Sequence, residues 1–232
     1  MTVTHPERQR AIHLCVFLAA FFVAWSLRAT VFYSLDEQIA SRFWRTAYSN
    51  LLKLVLWVLP AAAFAYWMRA ASPARYLGVS VLPAARAWLM FLVVIAGFLV
   101  AVAFLETTFG HKSLSAASLL SIPVGVLLLQ FVLTPLLEEV FFRGLVMKEL
   151  LDLLPSHLAS ALTSLLFVGV HLPYWLSHGG LTGATMANCG GVFLFSLLAC
   201  WLYAKSASVW PAVAAHTANN FLAAMLISSP LR

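Results

Sequence analysis

The chain has 232 residues, of which 62% are hydrophobic and only 9% are charged. A soluble globular domain carries about 25% charged residues, so this composition excludes an ordinary soluble fold and indicates a lipid bilayer as the solvent. The formal net charge is +6, but the basic residues are scattered between apolar blocks, as in loops beside a membrane, and this distribution argues against a nucleic-acid partner.

Continuous apolar blocks predict about seven membrane-spanning helices, because a helix needs about 20 mostly apolar residues to cross the hydrocarbon core. Lipid cannot satisfy free backbone polar groups, and the blocks lack the alternation of a β-barrel strand. The predicted fold class is therefore all-α, a polytopic transmembrane helix bundle of about seven to eight spans. The blocks cover residues 11–33, 51–69, 88–109, 117–136, 158–176, 187–204 and 209–228.

The first apolar block follows Arg8 and Arg10 and continues past Arg28, with no small-residue cleavage site after it. We therefore interpret it as a retained membrane anchor and not as a signal peptide. The distribution of Lys and Arg predicts a cytoplasmic N-terminus and an external C-terminus. In that orientation the cytoplasmic basic residues are Arg8, Arg10, Arg69, Arg75, Arg86, Arg143, Lys148 and Lys205, and the external ones are Arg42, Arg45, Lys53, Lys112 and Arg232.

The two halves of the chain differ in what their apolar blocks contain. Residues 1–112 are interpreted as N-terminal membrane scaffold, with tryptophans suited to packing and to the membrane interface. Residues 113–232 carry ionisable and amide side chains inside apolar segments. Placing Asp, Lys or Arg at the centre of a membrane helix costs about 2.5–3.5 kcal/mol, so such residues need a reason to be there. We expect the functional site in this second half.

Two adjacent acids, Glu138 and Glu139, follow a long apolar run. On a helix they project about 100° apart, so they cannot do the same job. Glu139 and Arg143 are spaced i and i+4 and can form an ion pair, which leaves Glu138 facing elsewhere. The alternative interpretation is that the helix leaves the membrane here and both acids meet water.

A histidine and a histidine–asparagine pair follow in later blocks. His171 lies late in the fifth block, and His216 and Asn220 share one helix face in the seventh. Each is also compatible with a plain packing role, as a core histidine or as an interhelical hydrogen bond. Taken together with Glu138, they put a carboxylate, two imidazoles and a carboxamide into the last four spans. Buried polar groups need partners, so convergence on one cavity is the low-energy arrangement.

Such a set of groups is suited to hydrolysis. A glutamate can act as a general base on water, and a histidine can orient that water or share its proton near neutral pH. An imidazole N–H and an amide NH₂ can stabilise an oxyanion.

In this order along the chain, the motifs E-E-x-x-x-R, F-x-x-x-H and H-x-x-x-N resemble those of the CPBP family, the CaaX proteases and bacteriocin-processing relatives. The matching residues are Glu138, Glu139, Arg143, Phe167, His171, His216 and Asn220. The resemblance covers about residues 115–228, and it implies a glutamic-type intramembrane endopeptidase without metal or cofactor. It further implies that Glu138 and His171 activate a water and that His216 and Asn220 form the oxyanion hole. Glu139 and Arg143 would brace the site, and Phe167 would pack under His171.

The resemblance also implies a peptide bond near the C-terminus of a membrane-anchored protein or peptide as the substrate. Cleavage is expected in the cytoplasmic half of the bilayer if Glu138 lies near that end of its span. The chain has no N-x-S/T sequon and no endoplasmic-reticulum retention tail, and we expect a bacterial inner membrane. A lipidated protein, a sorting signal and a bacteriocin precursor remain open as substrates. The choice between Glu138 and Glu139 as the base is also open, although the helical-face argument favours Glu138.

Three other functions fit parts of the pattern. Glu138, His171 and His216 are enough for a zinc-dependent protease with an open fourth position, although the chain lacks an H-E-x-x-H helix. A proton-coupled transporter also uses intramembrane Glu and His, but no internal repeat is visible. A non-catalytic membrane partner or immunity protein would tolerate His216→Ala and Asn220→Ala.

Overall fold

The computed structural model describes residues 5–69, 72–110 and 112–228. Helices make up nearly all of the regular structure in this part of the chain, which confirms the predicted all-α class. The elements are α1 (His5–Thr30), α2 (Tyr33–Glu37), α3 (Arg42–Arg69), α4 (Pro73–Tyr76), α5 (Ala85–Thr108), β1 (Lys112–Leu114), α6 (Ala116–Leu120), α7 (Val124–Leu151), α8 (Ser156–Gly169), α9 (Leu172–Gly179), α10 (Gly183–Ser206), α11 (Trp210–Met225) and β2 (Leu226–Ser228).

Six helical segments of the described chain are long and apolar enough to cross a membrane, and the protein is an integral membrane protein. They are α1, α3, α5, α7, the α8–α9 pair and α10. The seventh predicted span corresponds to α11, which has 16 residues and is shorter than the others. At 1.5 Å per residue it extends about 24 Å, less than the hydrocarbon thickness of about 30 Å. Since α11 packs against α5, α6, α7 and α10, protein surrounds much of it.

Two of the long helices contain π-helical turns. In α3 these cover Leu54–Val58, and in α7 they cover Leu128–Leu133 and Val140–Met147. Pro135, which has no N–H to donate, lies at the start of the α-helical segment between the two π segments of α7. Turns of this kind are rare and are frequently found at functional sites.

The helix connections alternate between two ends of the bundle. The end that carries the start of α1, which we call the N-terminal end, also carries the connections α3–α5, α7–α8 and α10–α11. There Nη1 of Arg10 lies 3.3 Å from Oδ2 of Asp152. The opposite end, which we call the strand end, carries the connections α1–α3, α5–α7 and α9–α10. It is closed by the antiparallel pairing of β1 with β2, in which Ser113 lies opposite Ile227.

A buried ion pair lies near the N-terminal end. Nε of Arg69 donates to Oε1 of Glu149 at 2.8 Å, and the hydroxyl of Tyr76 donates to the same carboxylate. Burial, together with the hydrogen bond to Glu149, raises the pKa of Tyr76, so this hydroxyl remains a donor over the physiological range. The cluster ties α3 and the segment after it to α7.

Aromatic side chains form the core between α1, α3 and α7. The ring centroids of Phe21 and Phe141 lie 4.2 Å apart, and Trp57 lies 5.4 Å from Phe21 and 5.7 Å from Phe142. Lipid tails are as apolar as these side chains, so close van der Waals packing, and not the hydrophobic effect, favours helix association here. This packing fixes α3 against the middle of α7, where Glu138 lies.

Candidate active site

Glu138 is buried in the middle of α7, with 5% of its surface exposed. Its Oε1 lies 2.5 Å from Nζ of Lys53 on α3, and its Oε2 lies 3.8 Å from Nε2 of His216 on α11. A charge at this depth is tolerated only when it is paired, and Lys53 supplies the opposite charge. Three helices therefore meet at the Glu138 carboxylate.

Glu139 points away from Glu138 into the protein, as its position on the helix requires. Nη1 of Arg143 lies 2.9 Å from its Oε2, which is the i, i+4 ion pair expected from the spacing. Nη2 of Arg143 also donates to the hydroxyl of Ser196 at 2.7 Å and so connects α7 to α10. Glu139 and Arg143 have no exposed surface. The hydrogen bond from Arg143 to Ser196 therefore holds α7, the helix that carries Glu138, against α10.

His216 bridges the two glutamates. Its Nδ1 lies 2.7 Å from Oε1 of Glu139 and, because a carboxylate only accepts, this nitrogen donates. Its Nε2 faces Glu138. For Nε2 to donate to an oxyanion as well, the ring must be the doubly protonated imidazolium.

His171 lies in the bend between α8 and α9. Its Nδ1 donates to the carbonyl oxygen of Phe167 at 2.8 Å, which leaves Nε2 of the neutral ring free to accept a proton. The ring is held between two aromatic side chains, with centroids 5.2 Å from Phe167 and 5.2 Å from Trp175. Neighbouring groups therefore set both the tautomer and the orientation of the His171 ring.

Phe167 contacts several groups of the site. Its ring packs edge-on against His171 and lies 6.0 Å from the ring of His216. The guanidinium of Arg143 lies 4.8 Å from its centroid, a cation–π distance. Phe167 therefore separates the two histidines and packs against both, beyond the contact with His171 that the resemblance implies.

Glu138 and His171 line one cavity of about 190 Å³, which we call the Glu138 cavity. Its other lining residues are Trp25, Arg28, Ala29, Tyr33, Asp36, Ser49, Lys53, Trp57, Val170, Tyr174 and Trp175. The lining is thus largely aromatic, with ionisable groups along it. A water held there would be shielded from bulk solvent, which strengthens electrostatic interactions in the cavity.

The Glu138 cavity extends towards the strand end of the bundle, where Arg28, Tyr33 and Asp36 line it. Arg28 of α1 pairs with Asp36 of α2 there, and both side chains are buried. The hydroxyl of Tyr33 donates to that of Tyr174 at 3.4 Å. This hydrogen bond, together with burial, raises the pKa of Tyr33 to about 12. Through Tyr33 and Asp36, the short helix α2 forms part of the wall of the Glu138 cavity.

Only two of the predicted site residues, Glu138 and His171, line the Glu138 cavity. Asn220 is one helical turn from His216 towards the strand end and lines a larger cavity of about 590 Å³, which we call the Asn220 cavity. Thr134 of α7, one turn before Glu138, lines this cavity too.

Lys53 is a site residue that the sequence analysis missed. It was counted among the external basic residues, at the outer end of a second span predicted to begin at residue 51. Instead α3 begins at Arg42, and Lys53 is inside it, with 12% of its side chain exposed. Glu138 was identified because a charged residue in an apolar segment is costly. Lys53 is also a charged residue in an apolar segment, so the same argument could have identified it.

Glu138 lies near the centre of α7, about equally far from both of its ends. Its cavity extends towards the strand end, where Arg28, Tyr33 and Asp36 line it. The side of the membrane on which cleavage takes place stays a prediction.

Metal ligation was weighed for Glu138, His171 and His216. Within residues 5–69, 72–110 and 112–228, no three His, Cys, Asp or Glu side chains come together in a group able to hold a metal ion. A site without metal or cofactor stays a prediction.

A comparison with known protein families matches the part of the chain that carries the three motifs. Residues 120–222 match the family model described as Type II CAAX prenyl endopeptidase, Rce1-like. No curated protein and no solved structure matches the chain. The matched segment contains every residue of the three motifs, whereas Lys53 lies outside it. The resemblance inferred from the motifs is confirmed.

Proposed function

We propose that the protein is an intramembrane endopeptidase that hydrolyses a peptide bond near the C-terminus of a membrane-anchored protein or peptide. The match of residues 120–222 to the Rce1-like family model of CAAX prenyl endopeptidases supports a CAAX protease-like hydrolase of the membrane. Glu138 and His171 activate the attacking water, and His216 and Asn220 stabilise the oxyanion. The mechanism is of the glutamic type, without a metal.

The observation that carries this proposal is the shared cavity of Glu138 and His171. A carboxylate and an imidazole with a free Nε2 flank a space where one water fits. The water attacks the scissile carbonyl carbon while one of these groups takes its proton. The proton then passes to the leaving amine, because the group that acts as base in the first step is the acid in the second.

Glu138, and not Glu139, is the base in this proposal. Glu139 is occupied by Arg143 and His216 and has no exposed surface. Glu138 faces the cavity and is bound there by Lys53. A base must be able to reach its proton, and only Glu138 meets that condition.

Two groups on α11 stabilise the tetrahedral intermediate. His216, as an imidazolium, presents Nε2–H at the side of Glu138, and Asn220 presents its NH₂ one turn away. In this proposal the oxyanion lies between these two donors. Donors fixed before the reaction are worth about 2.7–4 kcal/mol each in such sites.

The substrate reaches the site within a bilayer, which we propose is a bacterial inner membrane, with the N-terminus of the protein cytoplasmic. A membrane-anchored substrate needs no separate recognition of its anchor, because the bilayer already confines both molecules.

The test is a comparison of protein C-termini in cells that express the wild type, Glu138→Gln or His171→Ala at matched levels. Glu106→Gln serves as the control, since Glu106 is a half-exposed acid on α5 that pairs with Lys112. We expect both site variants to accumulate the same unprocessed membrane-anchored proteins, identified by mass spectrometry, and the control to match the wild type. If all four sets of C-termini coincide while the site variants still lose a cellular phenotype, the protease proposal fails. A transporter or a non-catalytic partner then takes its place.

A further inference from the structure

A third cavity, of about 530 Å³, lies at the N-terminal end of the bundle, and we call it the Lys148 cavity. Its lining comes from the connection between α3 and α5 and from the ends of α7 and α10. The proposed function uses none of its residues. The polar members of the lining are Ser72, Arg75, Tyr76, Lys148, Asp152 and Tyr203.

Two of these residues, Arg75 and Lys148, are cations that form no ion pair with any acid of the described chain. Arg75 is exposed, and its guanidinium has five N–H donors. Nζ of Lys148 donates to the carbonyl oxygen of Tyr76 at 2.8 Å, a neutral acceptor. An ammonium has three donors, so two of those on Lys148 remain available to a ligand.

The one acid in this lining, Asp152, is balanced by a cation from outside it. Nη1 of Arg10 lies 3.3 Å from Oδ2 of Asp152. Tyr203 is 4% exposed, and its hydroxyl makes no hydrogen bond to the described part of the chain. It is therefore a donor available to whatever fills the cavity. Two unpaired cations and a buried hydroxyl together make the Lys148 cavity suited to an anion.

Exposed aromatic side chains indicate how deep in the membrane the Lys148 cavity lies. Tyr66 and Trp67, in the last turn of α3, are 62% and 76% exposed. Tyr and Trp of membrane proteins concentrate at the level of the lipid headgroups. Ser72 of the cavity follows Trp67 by five residues. The cavity is thus at headgroup level, at the end that the positive-inside rule predicts to be cytoplasmic, where the leaflet is rich in anionic lipid.

We propose that the Lys148 cavity binds the headgroup phosphate of an anionic phospholipid. Arg75, Lys148 and the hydroxyl of Tyr203 are its donors. A guanidinium binds phosphate oxygens through two parallel N–H groups, and the ammonium adds a second positive charge. The three donors come from α4, α7 and α10, so a bound headgroup connects three segments of the bundle. The inference does not depend on the proposed function.

The test measures lipid binding to the purified full-length protein in a neutral detergent. The probes are phosphatidylglycerol and phosphatidylcholine with the same acyl chains, followed by native mass spectrometry. We expect phosphatidylglycerol to bind at least about five-fold more tightly, because the choline cation offsets the phosphate charge in the other lipid. Phosphatidylglycerol is also expected to raise the temperature of thermal unfolding, since it binds the folded state.

Arg75→Gln is the variant for this test, because Arg75 is exposed and has no ion pair to lose. We expect it to lose most of the preference for phosphatidylglycerol, and Arg75→Lys to keep part of it. Arg86→Gln is the matched control, since Arg86 is an exposed arginine at the same end of the bundle that does not line the cavity. It should keep the full preference. Thermal unfolding without added lipid, unchanged in these variants, shows that folding is not the cause.

Four results would overturn the inference. The first is equal binding of the two lipids by the wild type. The second is a full preference in Arg75→Gln, and the third is an equal loss in Arg75→Gln and Arg86→Gln, which would show a general effect of surface charge. The fourth is displacement of phosphatidylglycerol by an equal concentration of glycerol 1-phosphate, since the ligand is then a soluble phosphate compound. A preference that only the Arg75 variants lose supports the lipid site, whether or not cleavage is found in cells.

Discussion

The ion pair of Lys53 and Glu138 joins the two halves of the chain at the site. Breaking a buried pair by removing one partner costs about 3–5 kcal/mol, because the other charge stays buried without compensation. The pair also fixes where the Glu138 carboxylate lies in its cavity. Lys53 therefore has a stabilising role and a positioning role, and these can be tested separately.

Replacing Lys53 by Met is expected to lower stability by about 3–5 kcal/mol and to abolish cleavage, since Glu138 loses its partner. Lys53→Arg keeps the charge and is expected to retain most of the stability. The double variant Lys53→Met with Glu138→Gln should recover much of the lost stability but none of the activity. The measurements are thermal unfolding in detergent and processing of the substrates found in cells. Additive losses in the double variant would show that the pair is not coupled.

A second prediction concerns the side chain of Arg143. Arg143→Met leaves Glu139 buried without its cation and removes the hydrogen bond to Ser196, so we expect a loss of about 3–5 kcal/mol. Ser196→Ala removes one acceptor only, and we expect about 1 kcal/mol. Thermal unfolding of both variants measures the difference. Similar losses in the two variants would contradict the role of Arg143 as the cation of Glu139.

Among the helices, α3 and α7 are the ones that position the reactive groups. Lys53 directly precedes the π segment of α3, and Glu138 and Glu139 lie between the two π segments of α7. A π turn takes one more residue per hydrogen-bonded loop than an α turn, and this rotates the side chains that follow it. In α7, the first π segment therefore affects the direction in which Glu138 and Glu139 point.

A close backbone contact fixes α7 against the segment after α4. A Cβ atom built on Gly144 would lie 2.5 Å from the carbonyl oxygen of Leu77, too close for any side chain. Gly144→Ala is therefore expected to force the backbones apart and to lower stability by about 1–3 kcal/mol. Gly97→Ala on α5 is the matched control, since a Cβ there meets nothing within 4 Å. Since Ala favours helices over Gly by about 1 kcal/mol, Gly97→Ala should be neutral or stabilising in thermal unfolding. Equal effects of the two changes would contradict the close contact.

At the scale of the whole molecule, residues of the strand end contribute to the lining of the Glu138 and Asn220 cavities. The basic residues of the N-terminal end include Arg8, Arg10, Arg75, Lys148 and Lys205, and from the positive-inside rule we predict that this end is cytoplasmic. With that orientation, we expect substrates to approach Glu138 from the external half of the bilayer.

Cysteine labelling measures this orientation directly. The native cysteines Cys15, Cys189 and Cys200 are replaced by Ala, and single cysteines are introduced as Ser41→Cys at the strand end and Ser80→Cys at the N-terminal end. Both serines are exposed. In intact cells we expect a membrane-impermeant maleimide to label the first variant and not the second. The reverse pattern would place both cavities on the cytoplasmic face.

Much of the fold and most of the site follow from local patterns. Apolar blocks predict helices because lipid leaves the backbone no other way to form its hydrogen bonds. The pairing of Glu139 with Arg143 and the contact of Phe167 with His171 depend on i, i+4 spacing, which is a property of any helix. Helix geometry also favoured Glu138 over Glu139 as the base, and this choice stays a prediction.

The sequence by itself therefore determined the helical membrane fold, the match of residues 120–222 to the Rce1-like family model and the residues that carry the motifs. Tertiary structure decided the rest: that Lys53 is the partner of Glu138 and that Asn220 lines a separate cavity together with Arg42. The reason is physical. Spacing within a helix fixes which side chains share a face, but only the packing of one helix against another decides which faces meet.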